Sequence, residues 1–208
     1  PFTPLKVSGR KVETILRTHT VNALCLWDQV MALEKPLLTA PMALEAVIGG
    51  TTFPAKGSRF TINQATATRV TMQSNWSAGP LHGTAHAVWD YDGVMQWTLV
   101  VNPCAERVDH LRLRIPLDDR SMPLMHTCAD GIRFNYAGAV PAGSGTIWDG
   151  RKAGKNSIIG TYVPYIWIGA EERGLSVFGE NDRGWATDYK TPLQEMSRQG
   201  GTLTLTLN

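Results

Sequence analysis

Polar and apolar residues alternate strictly along several stretches of this chain. His110-Leu-Arg-Leu-Arg-Ile115 and Thr202-Leu-Thr-Leu-Thr-Leu207 each switch character at every position. Arg59-Phe-Thr-Ile62 and Thr68-Arg-Val-Thr-Met72 do the same, with β-branched residues that suit a pleated surface. A period of two places one set of side chains on a core and the other in water, so these runs predict strands. Ala85-His-Ala-Val-Trp-Asp-Tyr91 and Val94-Met-Gln-Trp-Thr-Leu-Val-Val101 flank Asp92-Gly93. Two β-rich runs around Asp-Gly predict a hairpin, because glycine accepts the positive φ of a tight turn. Val163–Ile168 and Leu175–Phe178 flank Gly169-Ala-Glu-Glu-Arg-Gly174 and predict a second hairpin with a longer loop.

Helical spacing shows only in Ala23–Lys35. There Leu24, Trp27, Val30, Met31 and Glu34 recur at intervals that predict about three turns. Ala137–Lys155 is the most glycine-rich and least periodic stretch, and reads as a long surface loop holding Trp148. Twenty glycines and twelve prolines punctuate the chain at intervals suited to many short strands. The expectation is an all-β fold, a large antiparallel, supersandwich-like β-sandwich with few or no helices, spanning residues 1–208 as one domain.

The length of 208 residues and the hydrophobic fraction of 43% support a core without staples. Twenty basic residues against eighteen acidic leave a charge of +2, with no basic stripe, which argues against nucleic-acid binding. No apolar run approaches the ~18–20 residues of a membrane span. The chain opens at Pro1 without a signal-peptide pattern, which fits a processed product or an excised domain. Cys25, Cys104 and Cys128 are far apart without a C-x-x-C pair, so no zinc site is expected. An odd count leaves at least one thiol free, and buried small hydrophobes are the plain reading.

Motifs of nucleotide, metalloprotease and serine-hydrolase chemistry are absent from the sequence. His82 and His86 fall around a predicted strand, where a spacing of four does not repeat a helical metal pair, and read as surface or cross-strand histidines. Glycosidases need two carboxyls held ~5–5.5 Å apart for retention or ~6.5–9.5 Å apart for inversion. Asp118-Asp119 reads as a turn and Glu171-Glu172 as a solvated hairpin loop. Glu180 and Asp182 lie just after a strand, where Arg183 can pair with either. Of seven tryptophans, Trp89, Trp97 and Trp167 fall in predicted strands and suit a core. Trp148 and Trp185 fall in polar, glycine-containing loops and are candidates for a sugar platform or an interdomain contact. Asn75-Trp-Ser77 fits the glycosylation acceptor pattern.

The block Tyr162-Val-Pro-Tyr-Ile-Trp-Ile-Gly-Ala-Glu-Glu-Arg-Gly-Leu-Ser-Val-Phe-Gly-Glu-Asn-Asp-Arg-Gly-Trp185 resembles a signature of glycoside hydrolase family 123-like proteins, close to P-Y-x-W-x-G-x-x-E-R-G-L-x-x-F-x-E-x-D-x-G-W. Val7–Val12 and Lys35–Met42 are similar to segments of the N-terminal β-sandwich of that family. The resemblance implies a sandwich followed by a (β/α)8 barrel that would begin after Asn208. In the family the barrel carries an Asp-Glu pair acting with substrate assistance on N-acetylhexosamine sugars. None of those catalytic residues maps onto this chain, and no cofactor or metal is implied. What maps is the motif itself, including Trp167, Glu172, Arg173, Gly174, Glu180, Asp182, Gly184 and Trp185, with the role of shaping the face toward the barrel or the substrate cleft. Arg173 is suited to a bidentate bond with Glu180 or Asp182. The family implies a secreted or periplasmic setting.

Three functions are weighed. The first is a non-catalytic domain framing the barrel. The second is a stand-alone carbohydrate-binding module using Trp148 and Trp185. The third is a sugar isomerase or lyase built on a His and carboxylate cluster such as His86 or His110 with Glu180.

Overall fold

A computed structural model describes residues 3–129, 135–152, 161–185 and 190–208. The chain is all-β, and the strands run in the order β1 (Lys6–Ser8), β2 (Lys11–Thr14), β3 (Arg17–Val21), β4 (Trp27–Ala32), β5 (Lys35–Pro36), β6 (Ala43–Ile48) and β7 (Thr51–Pro54). They continue with β8 (Lys56–Ala65), β9 (Arg69–Ala78), β10 (Leu81–Asp90), β11 (Met95–Val101), β12 (His110–Asp118) and β13 (Leu124–Cys128). The last are β14 (Asn135–Ala139), β15 (Gly145–Asp149), β16 (Tyr165–Gly169), β17 (Gly174–Phe178), β18 (Gln194–Gln199) and β19 (Thr202–Leu207). Among the described residues only short 3-10 turns interrupt the strands, and no helix is long and apolar enough to cross a membrane. The chain divides into two compact units, Pro1–Leu113 and Arg114–Asn208.

In the first unit a sheet of β1 to β5 in sequence order faces a sheet ordered β11-β10-β9-β8. The long strands β9 and β10 obey the period of two residue by residue, with Val70, Met72, Trp76, Ala85, Ala87 and Trp89 all buried. Val12 and Val21 from the facing sheet and Cys25 from its β3–β4 turn close on Val70, Met72, Ala87 and Trp89 to form one core. The Asp-Gly hairpin forms where expected. Gly93 sits at φ 86°, its N–H donates to the Asp90 carbonyl, and Asp92 Oδ1 accepts from the Val94 N–H.

The helix expected over Ala23–Lys35 does not form. Trp27–Ala32 is strand β4, paired antiparallel with β3 from Arg17↔Ala32 to Val21↔Trp27. Two turns enforce the change. Asn22 Oδ1 accepts from the Leu24 and Leu26 N–H groups, and the chain reverses through Cys25 at φ 59°. Leu33 and Glu34 then take φ 49° and 62°, the left-handed pair that closes a two-residue hairpin onto β5. With a partner strand on each side, burial alternates at Val30 and Ala32, and the helical spacing has no core stripe to serve.

In the second unit one sheet contains β15, β18, β19 and β12 in that order, and the other is ordered β14-β13-β16-β17. Leu117, Met196, Leu203 and Leu205 are buried from the first, and Met125, Ile166, Ile168 and Leu175 from the second. The expected surface loop Ala137–Lys155 is largely structured, because β14, β15 and a 3-10 turn at Gly150–Lys152 occupy much of its described part. Trp148 lies within β15 opposite Met196 and is 4% exposed, so it is core. Asp118-Asp119 is a turn as expected. Asp118 caps the 3-10 turn Asp119–Ser121, and the Arg198 Nε–H donates a bifurcated bond to both Asp119 carboxylate oxygens at 2.9 and 3.0 Å.

Candidate functional site

The motif block Tyr162–Trp185 builds one hairpin and the loop after it. The strands β16 and β17 pair from Tyr165↔Phe178 to Gly169↔Gly174, and the tip closes by the Ala170 N–H donating to the Arg173 carbonyl. Strand β13 pairs on the other side of β16, with His126 opposite Trp167 and Cys128 opposite Tyr165. Directly paired residues in antiparallel strands project to the same side. Met125, Thr127, Ile166, Ile168 and Leu175 are buried against the core. The opposite face therefore presents two rows, Cys128–Tyr165–Phe178 and His126–Trp167–Ser176. These side chains are half-buried except Phe178 and Ser176, which are exposed.

Glycine shapes this face. The Trp167 indole runs over the hairpin's two glycines. A Cβ on Gly174 would stand 2.7 Å from Trp167 Nε1, and one on Gly169 would stand 2.7 Å from Trp167 Cζ2. The two glycines that bracket the tip thus leave the space an indole occupies. His126 meets the Tyr165 ring edge-on at 5.7 Å, and its Nε2 lies 3.3 Å from Cys128 Sγ.

The loop after β17 folds back on the edge of the same sheet. Tyr162 Oη donates to the Asn181 carbonyl at 2.9 Å, and the Trp185 ring packs on the Tyr162 ring at 5.5 Å. Gly179 is required here, since a Cβ on it would meet Tyr162 Oη at 2.0 Å. Burial pushes the Tyr162 hydroxyl above its ordinary pKa, and the nearby Asp182 charge acts in the same direction. Beside this pair lies a cleft of about 60 Å³, lined in part by Pro164, Phe178, Gln194 and Leu207. That volume suits a few water molecules and falls short of the ~300 Å³ at which small-molecule pockets begin.

The expected site residues thus separate. Trp167 and Trp185 lie in one hairpin and its following loop, each half-buried, whereas Trp148 is in the core. Glu172, Glu180, Asp182 and Arg183 are exposed. The expected pairing of Arg173 with Glu180 or Asp182 is not formed among the described residues. Arg173 Nε is buried without a hydrogen-bond partner there, and the Arg183 N–H instead donates to Asn181 Oδ1. Arg173 sits at the tip of the hairpin, while the two acids follow its far end, so the strand length separates them.

Among the described residues no three His, Cys, Asp or Glu side chains are grouped to hold a metal ion. All three cysteines are free. His82 is exposed and His86 Nε2 bonds Thr84 Oγ1, which agrees with surface or cross-strand roles. The outer-face partners of Trp167, namely His126, Cys128, Tyr165 and Ser176, escaped sequence reasoning. The alternation of Leu124–Cys128 was the available signal, but its register to β16 was not legible.

The hairpin thus belongs to a two-sheet antiparallel unit of β-sandwich type. The chain belongs to the glycoside hydrolase 123 family, with residues 5–194 matching the model described as glycoside hydrolase 123, third domain. The motif resemblance implies the same family through its N-terminal sandwich, whereas the matched model is that of its third domain. No curated protein matches the chain.

Proposed function

We propose that residues 1–208 serve as a non-catalytic β-sandwich domain of a glycoside hydrolase, which packs on or frames a catalytic (β/α)8 barrel of the same protein. The observation that carries this reading is the use of the motif's side chains. Trp185 closes on Tyr162, and Gly179 makes room for that contact. The motif thereby builds a shaped surface, and its acids Glu172, Glu180 and Asp182 stand exposed beside it. A family described by numbered domains supports companions within one protein. A large amphipathic ring such as Trp185, half-buried at a sheet edge, suits a contact with such a companion.

The test uses the gene's full product and this chain. The isolated chain is expected to leave aryl glycosides of hexoses and N-acetylhexosamines intact. The barrel is expected to co-sediment with it, and Trp185→Ala is expected to weaken that association. Turnover by the isolated chain, or association indifferent to Trp185→Ala, refutes the reading.

A further inference from the structure

We propose that the outer face of the β14-β13-β16-β17 sheet binds neutral carbohydrate, with Trp167, Tyr165 and Phe178 stacking on pyranose rings and His126 and Ser176 bonding their hydroxyls. This deepens the domain reading and takes from it only the class of ligand. A pyranose ring has an apolar C–H face and a rim of hydroxyls, so a complementary surface needs aromatic planes interleaved with uncharged donors and acceptors. The two rows supply that mixture. Neighbouring strands lie ~4.8 Å apart, and alternate residues along a strand lie roughly 6.6 Å apart. Tyr165, Phe178 and Trp167 therefore fall within the span of one or two sugar rings, and the paired positions of His126 and Ser176 flank Trp167 on either side.

Three observations favour this occupant. None of the six residues in the two rows is a carboxylate, a lysine or an arginine, so among the described residues these rows offer nothing to select a charged ligand. The Trp167 indole is supported from below by glycines, which positions an aromatic plane on a surface and leaves it only half-buried. Phe178 is 55% exposed, a large apolar ring at the end of β17 with no packing role that hides it from water.

The experiment is a calorimetric titration of the whole 208-residue chain with methyl pyranosides of neutral hexoses and N-acetylhexosamines and with their short oligosaccharides. Tryptophan fluorescence is followed in parallel. Saturable binding is expected, abolished in Trp167→Ala and weakened about tenfold in Phe178→Ala. The second variant guards against misfolding of the first, because an exposed ring can be truncated without disturbing the core. Trp185→Ala is expected to bind sugar as the parent chain does, which separates this surface from the proposed barrel contact. No saturable binding by the parent chain overturns the proposal, as does wild-type affinity in Phe178→Ala.

Discussion

Acid should loosen the first unit through His19. This histidine is 1% exposed in β3, packed between Trp27 at 5.0 Å and Trp89 at 6.5 Å, and its Nδ1 lies 3.4 Å from the Val12 carbonyl. Burial lowers its pKa from 6.5 to about 4, with the Arg17 charge adding to the decrease and the Val12 carbonyl opposing it. The folded state thus holds His19 neutral, while the unfolded chain takes up a proton below pH 6.5. Stability from this group is complete above that pH, falls as the pH drops from 6.5 to about 4, and levels off below. Each pKa unit corresponds to about 1.4 kcal/mol, so the difference of 2.5 between 6.5 and about 4 corresponds to roughly 3 kcal/mol. Urea unfolding followed by tryptophan fluorescence should show this loss between neutral pH and pH 4, since Trp27 and Trp89 report directly on the site. His19→Gln removes the titration, and its stability should fall less over the same interval by about that amount. An equal pH dependence in the parent and the variant refutes the reasoning. So does a histidine resonance assigned to His19 that titrates near pH 6.5.

Gly179→Ala should lower the unfolding free energy by about 1–3 kcal/mol, because its methyl would stand 2.0 Å from Tyr162 Oη and drive the ring off the Asn181 carbonyl. An unchanged midpoint would mean that the loop shifts freely. Arg198→Ala removes the bifurcated bond to Asp119 and those to the Pro141 and Gly143 carbonyls, at a cost of about 1–3 kcal/mol in chemical unfolding. Because both partners are about a quarter exposed, salt should reduce that cost, and a loss indifferent to ionic strength would argue against an electrostatic origin. Titration with a thiol reagent should label Cys104 and Cys128 in the native chain and reach Cys25 only on unfolding. Cys25 is buried, its thiol pKa is raised by burial, and its Sγ bonds Ser74 Oγ. Rapid native labelling of Cys25 would contradict its place in the core.

The sequence by itself determined that this protein is built of antiparallel strands. The period-two run through Val70 and Met72 buries one face of β9, and Asp92-Gly93 closes a hairpin through local backbone preference alone, whereas His110–Ile115 leaves Leu111 and Leu113 only half-buried and Thr202–Leu207 buries Thr204 along with Leu203 and Leu205. The motif Tyr162–Trp185 likewise carried the family and the hairpin between Gly169 and Gly174. Only the tertiary structure decided what depends on partners distant in the chain. Leu24, Trp27, Val30 and Met31 satisfy a helix and a strand about equally, and pairing with β3 settled the choice. Trp148 and Trp185 sit in similar local sequence, yet one pairs with a strand nearly fifty residues later and sinks into the core, and the other packs on Tyr162. The face that brings His126 and Cys128 beside Tyr165 and Trp167 exists only in the register of β13 on β16. A slip of one residue would turn His126 and Cys128 to the side opposite Tyr165 and Trp167, and nothing within either segment alone fixes that register.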